Sequence, residues 1–477
     1  MNSHDTICAI ATAQGGAIGI IRVSGHDAIA ITDSIFTPAG NNALPLSERK
    51  PNMVCFGYIK RVNGEVIDEV LVTIFRAPHS YTGEDSVEIS CHGSSYILQQ
   101  VMQMLIGAGC RHAAPGEYTQ RAFLNGKMDL SQAEAVADLI ASTSEAAHRL
   151  AMNQMRGHFS RELSFLRDKL LHLTSLMELE LDFSDHEELE FADRTELTDI
   201  SSQIERLITR LINSFNLGNA IKNGIPVAII GETNAGKSTL LNALVGDERA
   251  IVSDIHGTTR DVIEDTVNID GITFRFIDTA GIRETSDTIE NLGIERTYGK
   301  ISQAEIVLLM ADVTEYTSSV LSLISKVQSY CKNKKLIVLC NKIDLRPDFI
   351  PTIPSLISPN NPSSDSISLL TASTPLLSIS AKTGKNIDAL KHLLVSISGI
   401  TTSSNEVIVT NIRHLEALTN ARTAIHRVCE GISTDLPADL ISQDLRLCLF
   451  HLSEITGGEI TTDEVLGNIF KHFCVGK

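Results

Sequence analysis

The sequence predicts a multidomain protein of mixed class, with an N-terminal α+β domain, a helical bundle, and an α/β domain inserted into that bundle. The chain of 477 residues is too long to fold around one hydrophobic core. Helical periodicity begins near Ser131, stops, and returns after about residue 405. In between, apolar strands alternate with helices, which is typical of a doubly wound, mainly parallel sheet. We therefore predict an N-terminal domain over 1–118, a helical domain over 119–218 and 401–477, and an inserted domain over 219–400.

The composition excludes several classes of protein. Hydrophobic residues make up 43% of the chain and charged residues 21%, which is ordinary for a globular protein. No apolar run is long enough to cross a bilayer, and no basic flank precedes an apolar core at the N-terminus. We therefore expect a cytoplasmic protein without membrane contact. The nine cysteines are scattered without CxxC pairs, which argues against a disulfide framework or a zinc site.

The net charge of −18 means that the chain as a whole should not attract nucleic-acid phosphates. Any RNA contact would have to be local. One predicted helix carries several cations, which we interpret as a solvated face: Arg149, Arg156, Arg161, Arg167 and Lys169. The acidic stretch DFSDHEELEFAD over 182–193 lacks the glycine of a cation-binding loop, so an exposed acidic face is predicted there.

Local patterns predict the elements of the first two domains. Short segments rich in Ile and Val predict strands, and the segments between them predict helices near 25–35 and 94–109. The predicted strands are 5–12, 16–23, 53–60, 66–76 and 86–91. SQAE, from Ser131 to Glu134, has the pattern of a helix capping box. A bundle seam with helical spacing follows at Leu163, Leu166, Leu170, Leu173 and Met177, and helical signal continues through 194–216.

GETNAGKS, from Gly231 to Ser238, matches the P-loop pattern between an apolar strand, IPVAII, and a helix, TLLNALVG. Glycines let backbone amides approach phosphates, Lys237 reaches the outer phosphates, and the Ser238 hydroxyl ligates Mg²⁺. Three more segments follow in order after predicted strands or loops, namely DTAG over 278–281, NKID over 341–344 and SAK over 380–382. The NKID carboxylate can accept two hydrogen bonds from guanine, so the inserted domain is predicted to bind GTP.

Ile282 directly follows DTAG, where Ras-type GTPases have a glutamine that orients water. An apolar side chain cannot do this, so hydrolysis needs another arrangement. The amide oxygen of Asn234, inside the P-loop, could hold a monovalent cation against the phosphates. The alternative is that Asn234 is only a turn residue.

These motifs together resemble those of the tRNA modification GTPase MnmE (TrmE) family over almost the whole chain. The resemblance rests on IIRVSG, SYTGEDSVEISCHG, APGEYTQRAFLNGKMDLSQAEAVADLI, GETNAGKST, DIHGTTRD, DTAGIRE, NKID and FCVGK. It implies an N-terminal tetrahydrofolate-binding domain, a helical domain and a potassium-stimulated GTPase domain. It also implies a homodimer that works with the FAD-containing protein MnmG. Together they would add an aminomethyl-type group to the wobble uridine of certain tRNAs, with 5-formyl- or 5,10-methylene-tetrahydrofolate as carbon donor.

The resemblance implies roles for individual residues. The folate site would use Arg22, Glu88, Lys127 and Lys477. Mg²⁺ would be held by Ser238 and Thr259, and K⁺ by Asn234, Ser253, the Ile255 carbonyl and Thr258. Catalysis would use Glu290, Lys237 and Asn234. The full predicted GTP site is Asn234, Ala235, Gly236, Lys237, Ser238, Thr239, Ser253, Asp254, Ile255, His256, Gly257, Thr258, Thr259, Asp278, Thr279, Ala280, Gly281, Asn341, Lys342, Asp344, Ser380, Ala381 and Lys382.

Two segments leave alternatives open. Cys474 in the terminal FCVGK stands where a prenylated cysteine would, but Gly476, Lys477 and the absence of a polybasic run argue against a lipid anchor. Docking of the tail towards the folate pocket is favoured, and Cys474 as a reactive thiol is the second interpretation. The Ser- and Pro-rich stretch 345–379 is longer than the family pattern and is predicted to be a surface loop.

Two further functional hypotheses compete with the modification GTPase. A GTP-driven RNA-binding switch of the ribosome-assembly type would share the same nucleotide motifs, but it needs a basic appendage that this acidic chain does not display. A folate-dependent transferase with an accessory GTPase domain is the third hypothesis. Binding of reduced folate by the N-terminal domain would separate the first and third hypotheses from the second.

Overall fold

A computed structural model describes most of the chain. The described residues are 5–13, 15–40, 44–182, 194–232, 234–246, 265–277, 299, 301–314, 327, 330–331, 334–349, 374–400, 407–434, 436–458, 469–470, 473 and 476. The chain forms two compact units. The first comprises Met1–Ala141, Ala151–Ile212 and Ile412–Lys477, and the second comprises Ser142–Leu150 and Asn213–Asn411.

The first unit contains a seven-stranded sheet in the order β3-β4-β5-β6-β2-β1-β7. Its strands are β1 (Ile7–Ile10), β2 (Ile18–Ser24), β3 (Phe36–Pro38), β4 (Val54–Lys60), β5 (Val66–Phe75), β6 (Ser86–His92) and β7 (Arg111–His112). Neighbours are antiparallel except β1 and β7. Ile21, Val23 and Ile89 are fully buried on one face, and the alternation of a strand therefore places Arg22 and Glu88 on the other face.

The helices of the first unit begin with α1 (Ala28–Ile35) and α2 (Ser95–Gly107), and a 3₁₀ turn covers Leu46–Glu48. The other helices are α3 (Glu117–Leu124), α4 (Leu130–Ala141), α5 (Glu145–Met155), α6 (His158–Asp182), α7 (Arg194–Asn223), α10 (Ile412–Ser433) and α11 (Ala438–Thr456). Helices α5 and α7 continue into the second unit. The predicted seam is confirmed, because all five of its side chains are at most 3% exposed: Leu163, Leu166, Leu170, Leu173 and Met177.

The predicted capping box at the start of α4 is wrong by two residues. Asp129 is the capping residue: its Oδ1 accepts from the backbone N–H of Gln132 at 2.9 Å, and its own N–H donates to Gln132 Oε1 at 3.0 Å. Ser131 lies inside the helix and donates to Asp129 Oδ1 at 2.8 Å. The DxxQ pattern satisfies the helix end in the way that SxxE was expected to. Glu134 is therefore available for another contact.

Glu134 joins the parts of the chain that precede and follow the second unit. Its carboxylate accepts hydrogen bonds from Arg413 at 2.9 and 3.1 Å and lies 2.7 Å from Nε2 of the fully buried His414. Arg413 also donates to the carbonyls of Glu454 and Ile455 at the end of α11. Burial alone would raise the pKa of Glu134, but the hydrogen bonds and charges of His414 and Arg413 outweigh it and lower that pKa to about 2.

The second unit contains a six-stranded sheet in the order β13-β12-β11-β8-β10-β9. Its strands are β8 (Ile225–Gly231), β9 (Asp265–Ile269), β10 (Ile272–Phe276), β11 (Ile306–Asp312), β12 (Lys335–Asn341) and β13 (Leu376–Ser378). Among these strands only the pair β9–β10 is antiparallel. The helices α8 (Lys237–Gly246) and α9 (Ile387–Ser398) pack on the sheet through residues such as Leu240, Leu241, Leu390 and Leu394.

The predicted fold class is confirmed, since one sheet is mixed with α+β connections and the other is mainly parallel with helices on it. The loop predicted over 345–379 is wrong at its end, where β13 pairs with β12 through Leu376, Leu377 and Ser378. Residues 350–373 of that segment lie outside the described residues. Within the described part of the chain, no helix is both long and apolar enough to cross a membrane.

Candidate functional site

The P-loop joins β8 to α8 and bends twice through the left-handed region. Asn234 has φ +64° and Gly236 has φ +96°. A Cβ at Gly236 would lie 2.3 Å from the side-chain nitrogen of Asn341, so only glycine fits there. Lys237 begins the helix, and its ammonium donates to the carbonyls of Gly231 and Glu232, both at 2.8 Å. These contacts hold the lysine over its own loop.

Asn341 connects the P-loop to the other two loops at the end of the parallel strands. Its Nδ2 donates to the carbonyl of Ala235 at 2.8 Å, and its Oδ1 accepts from the N–H of Ala381 at 2.9 Å. The side chain is 3% exposed, so both of these hydrogen bonds are shielded from water. The structure therefore brings GETNAGKS, NKID and SAK together at one sheet edge, as the sequence predicts for parallel strands.

Asp344 lies half-buried beside the SAK loop. One of its oxygens, Oδ1, accepts from the Ser380 hydroxyl at 2.6 Å. That same hydroxyl accepts from the Thr383 N–H at 3.3 Å, which fixes its direction. Ser380 therefore orients the carboxylate, whose remaining lone pairs suit paired N–H donors such as those on the edge of guanine.

Asp312, at the end of β11, is a residue of this edge that the sequence analysis did not single out. It forms an ion pair with Lys342 at 2.5 Å and accepts from the N–H and hydroxyl of Thr314. Burial would raise the pKa of Asp312, but the hydrogen bonds from Lys342 and Thr314 lower it below its usual range. In the sequence, the aspartate at the end of the apolar strand IVLLMAD could have indicated this residue. Asp312 holds Lys342, which has a left-handed φ of +69°, beside the predicted base-binding loop.

Several predicted site residues lie outside the described residues. These are Ser253, Asp254, Ile255, His256, Gly257, Thr258, Thr259, Asp278, Thr279, Ala280, Gly281, Glu290, Cys474 and Lys477, together with Ile282 and 183–193 of the acidic stretch. Of the residues predicted to hold metal ions, Asn234 and Ser238 are described, the first exposed and the second half-buried.

A second cluster of predicted residues lies on the β2–β6 strand pair. Arg22 and Glu88 stand opposite each other in the register, and Arg22 donates twice to Glu88 Oε1, at 2.7 and 3.0 Å. The guanidinium carbon lies 5.6 Å from the ring centroid of Tyr81 and 5.7 Å from that of Tyr118. The Tyr118 hydroxyl donates to the Arg22 carbonyl at 2.7 Å. The two tyrosines were not predicted as site residues.

The end of the chain reaches this cluster. Arg22 Nη1 donates to the carbonyl of Gly476 at 3.3 Å. Gly476 has φ +94°, and a Cβ there would lie 2.6 Å from the Ile10 carbonyl. Upstream, a Cβ at Gly116 would lie 2.8 Å from both the Phe470 carbonyl and Phe473 Cβ. These contacts favour the docking interpretation of the tail.

Lys127 contacts the loop that carries Tyr81. Its ammonium donates to the Pro78 carbonyl at 2.8 Å, and its stem passes the position where a Cβ on Gly83 would stand, at 3.3 Å. No contact joins Lys127 to Arg22 or Glu88 among the described residues. It therefore borders the cluster through this loop.

An ion cluster that the sequence did not indicate lies beside the residues around Arg22. Arg121 donates to the side chains of Asp5, Glu84 and Glu117, and Arg111 donates to Asp5 and Glu117. Glu117 is 1% exposed, and it also accepts from the Ala114 N–H at 2.8 Å. Burial would raise the pKa of Glu117, but the hydrogen bonds from Arg111, Ala114 and Arg121 lower it. Glu117 and Arg121 of the motif APGEYTQRAFLNGK therefore stabilise the fold through ion pairs.

Two protein-family models match this chain. The family model described as "MnmE helical domain" matches residues 130–474, and "GTP-binding protein TrmE N-terminus" matches residues 6–127. The tRNA modification GTPase MnmE of Bacteroides thetaiotaomicron is 62% identical over 477 residues, which cover 100% of both chains. This chain belongs to the MnmE family. The MnmE of Flavobacterium johnsoniae is 49% identical over 484 residues, again with 100% of each chain covered.

Membership identifies this chain as a GTP hydrolase that acts in tRNA modification. A solved structure of Era with MgGDPNP and part of 16S ribosomal RNA is 30% identical, covers 42% of this chain and 66% of that chain, and has a TM-score of 0.25. At that score it neither supports nor weakens the ribosome-assembly hypothesis. The MnmE relatives decide the enzyme class.

Proposed function

We propose that this chain works as a cytoplasmic homodimer with the FAD-containing protein MnmG. The reaction adds a carboxymethylaminomethyl- or aminomethyl-type group to C5 of the wobble uridine of certain tRNAs, and 5-formyl- or 5,10-methylene-tetrahydrofolate supplies a carbon. The observation that carries this proposal is Arg22, which contacts Glu88, Tyr81, Tyr118 and the carbonyl of Gly476 at once. A ligand at Arg22 would therefore lie beside both the β2–β6 strand pair and the segment that contains Gly476.

The residues around Arg22 fit a reduced folate. Both hydrogen bonds from Arg22 end on Oε1 of Glu88, so Oε2 can accept from the N–H donors on the edge of a pterin. Tyr81 offers an aromatic surface beside the guanidinium. The cations Arg22, Lys127 and Lys477 suit the carboxylates of a glutamyl tail. The folate would supply the one-carbon unit, and these residues would bind and orient it.

The nucleotide site combines the loops that Asn341 holds together. Asp344 would accept from guanine, with Ser380, Ala381 and Lys382 supporting the base, and backbone amides of Asn234 to Thr239 would surround the phosphates. Ser238 and Thr259 would hold Mg²⁺, which offsets phosphate charge. Asp278 to Gly281 and Ser253 to Thr259 would complete the phosphate side. Lys237 would leave its present carbonyl partners for the outer phosphates.

The residues of the P-loop also suit potassium. The exposed amide of Asn234 sits on the left-handed bend of the loop, where its oxygen can face the phosphates. Ser253, the Ile255 carbonyl and Thr258 would provide the other oxygens, and a cage of neutral oxygens suits K⁺ better than the smaller Na⁺. The cation would supply positive charge beside the phosphates. Glu290 would orient the attacking water, since Ile282 cannot.

The nucleoside content of tRNA tests the proposed function directly. In cells that lack this protein, mass spectrometry of tRNA nucleosides should show loss of the wobble-uridine modification, restored by the full chain. A variant without Val475 to Lys477 should hydrolyse GTP normally but fail to restore it, because the tail belongs to the Arg22 site. Unchanged wobble uridines with accumulation of ribosomal precursors would instead support the RNA-binding switch.

The cation hypothesis needs a separate measurement. GTP hydrolysis should be faster in KCl than in NaCl at equal ionic strength, and Asn234→Ala should remove the difference. Glu290→Ala should slow turnover while leaving GTP affinity nearly unchanged. Equal rates in the two salts would contradict the potassium site but would leave the tRNA function standing.

A further inference from the structure

A pocket in the first unit lies between helices α6 and α7. Its volume is about 380 Å³, and we call it the basic pocket; it is lined by Phe165, Lys169, Gln203, Arg206, Leu207 and Arg210. Hydrogen bonds and an ion pair link the two helices at Lys169–Gln203 and at Glu162–Arg210, and Leu166, Leu170, Ile204 and Ile208 on the same helices are fully buried. The pocket residues stand three and four positions apart on each helix, so they share one face beside that seam.

The pocket combines an exposed aromatic ring with cations. Phe165 is 51% exposed, and the Lys169 ammonium lies 5.0 Å from its ring centroid. Lys169 also donates to Gln203 Oε1 at 3.1 Å, and Arg206 Nε donates to the Ser202 carbonyl at 3.1 Å. Arg210 is paired with Glu162. In the described part of the chain no carboxylate forms an ion pair with Lys169 or Arg206, so their charge is available to a ligand.

We propose that the basic pocket binds tRNA, with phosphates on Lys169 and Arg206 and an unpaired base against the ring of Phe165. The proposal rests on the tRNA-modifying function, for which it names a substrate-binding surface. The chain carries a net charge of −18, so a contact with RNA needs a local group of uncompensated cations.

The aromatic ring favours RNA over an acidic protein. A base splayed out of a loop can stack on an exposed ring, whereas bases in an A-form helix cannot reach one. A cavity of about 380 Å³ lies within the range of roughly 300–1,000 Å³ typical of small-ligand sites and can admit one base. An acidic protein partner would use the cations but would leave the ring without a specific role.

Equilibrium binding of fluorescently labelled tRNA to the full chain tests this assignment. The double variant Lys169→Glu/Arg206→Glu should bind tRNA about tenfold more weakly or worse, and the slope of log K against log salt should fall by about two, since two phosphate contacts are lost. Phe165→Ala should weaken binding by about 5- to 150-fold, which corresponds to the loss of one stacked base.

Arg167 provides the matched control on the same helix. It is exposed and stands two residues from Phe165, on a different side of α6, and it does not line the pocket. Arg167→Glu should leave the tRNA affinity within about twofold of the unmodified protein, because a single reversal away from the pocket removes no phosphate contact. GTP turnover should be unchanged in every variant, since none of these residues belongs to the P-loop site.

Two outcomes would overturn the proposal. Equal tRNA affinity in the double variant and in Arg167→Glu would exclude the pocket as the RNA contact, while unimpaired wobble modification in cells would still support the function. Normal tRNA affinity with lost binding of an acidic protein partner would assign the pocket to that protein. If the double variant fails to fold, photocrosslinking of 4-thiouridine tRNA to the unmodified chain decides: adducts outside peptides 162–170 and 203–210 refute the assignment.

Discussion

Asn341 in the second unit and Glu117 in the first are both buried polar residues, with 3% and 1% of their surface exposed. The two described side-chain hydrogen bonds of Asn341 go to main-chain groups, of Ala235 and Ala381. Glu117 is held mainly by two guanidinium groups, those of Arg111 and Arg121. Asn341 is neutral and joins loops that are far apart in the chain, whereas Glu117 is charged and binds two cations that lie within six residues of it.

The difference shows how a motif can serve a ligand or the fold. In the second unit a neutral amide holds the loops, beside Lys237 and Asp344, which we propose to bind the nucleotide. In the first unit Glu117 and Arg121 of APGEYTQRAFLNGK form ion pairs with other charged residues of the protein itself. A motif rich in charged residues is therefore not by itself a binding site. The buried partners decide which of the two roles each charge has.

Removing the charge of Glu117 should have the largest effect on stability. Glu117→Gln leaves Arg111 and Arg121 without their shared buried partner, and the loss should be about 3–5 kcal/mol of unfolding free energy. Chemical denaturation followed by circular dichroism measures it. Glu65→Gln is the control, because the Glu65–Arg61 pair is exposed to solvent and should contribute little to stability. Similar losses in the two variants would contradict a structural role for the ion cluster.

Asp344→Asn should act on binding and not on stability. An amide presents a donor to one of the donors of guanine, so GTP affinity should fall by about a hundredfold or more, with a shift of preference towards xanthine nucleotide. Isothermal titration with GTP and XTP measures both changes. Asp348→Asn, at an exposed position in the same loop, should bind GTP normally. Unaltered GTP affinity in Asp344→Asn would refute the base-binding assignment.

The contribution of Glu134 to stability should be smaller and should depend on pH. Its pKa is about 2 in the folded protein and 4.5 without that environment, so its stabilising contribution is complete above about pH 4.5 and is lost as the pH falls towards 2. The stability difference between the protein and Glu134→Gln should therefore shrink by about 2 kcal/mol between pH 7 and pH 3. Urea titrations at several pH values test this. A difference that is independent of pH would show that the charged pairs with Arg413 and His414 do not stabilise the fold.

Much of the fold could be predicted because the spacing of apolar residues in the sequence matches the positions that are buried in the strands and helices. The segments predicted as strands contain β1, β4 and β5 and all but the last residue of β2 and β6, and the bundle seam at Leu163 to Met177 is buried as expected. The strands Phe36–Pro38 and Arg111–His112 were missed because two or three residues carry no periodicity. The capping residue was misassigned because DxxQ and SxxE overlap within six residues, and only the backbone contacts distinguish them.

The candidate site was predictable where its residues belong to one local motif. The spacing between the binding residues is visible within each of the motifs GETNAGKS, NKID and SAK. Parallel strands then bring the three motifs to one edge of the sheet. The contacts of Arg22 with Tyr81, Tyr118 and Gly476 join residues up to 454 positions apart, for which no local pattern exists. The same applies to Arg121, whose carboxylate partners come from three different segments. Long-range polar contacts of this kind depend on the completed tertiary structure.

The hydrogen bond from Arg22 to the Gly476 carbonyl has a consequence for protein synthesis. Arg22 leaves the ribosome early, whereas Gly476 is added 454 residues later. At roughly 5–20 residues per second, the interval between them is on the order of half a minute or more. Until Gly476 has been synthesised, Arg22 therefore lacks this hydrogen bond. A chain truncated before Gly476 would be left without it, although Glu88, Tyr81 and Tyr118 are all present.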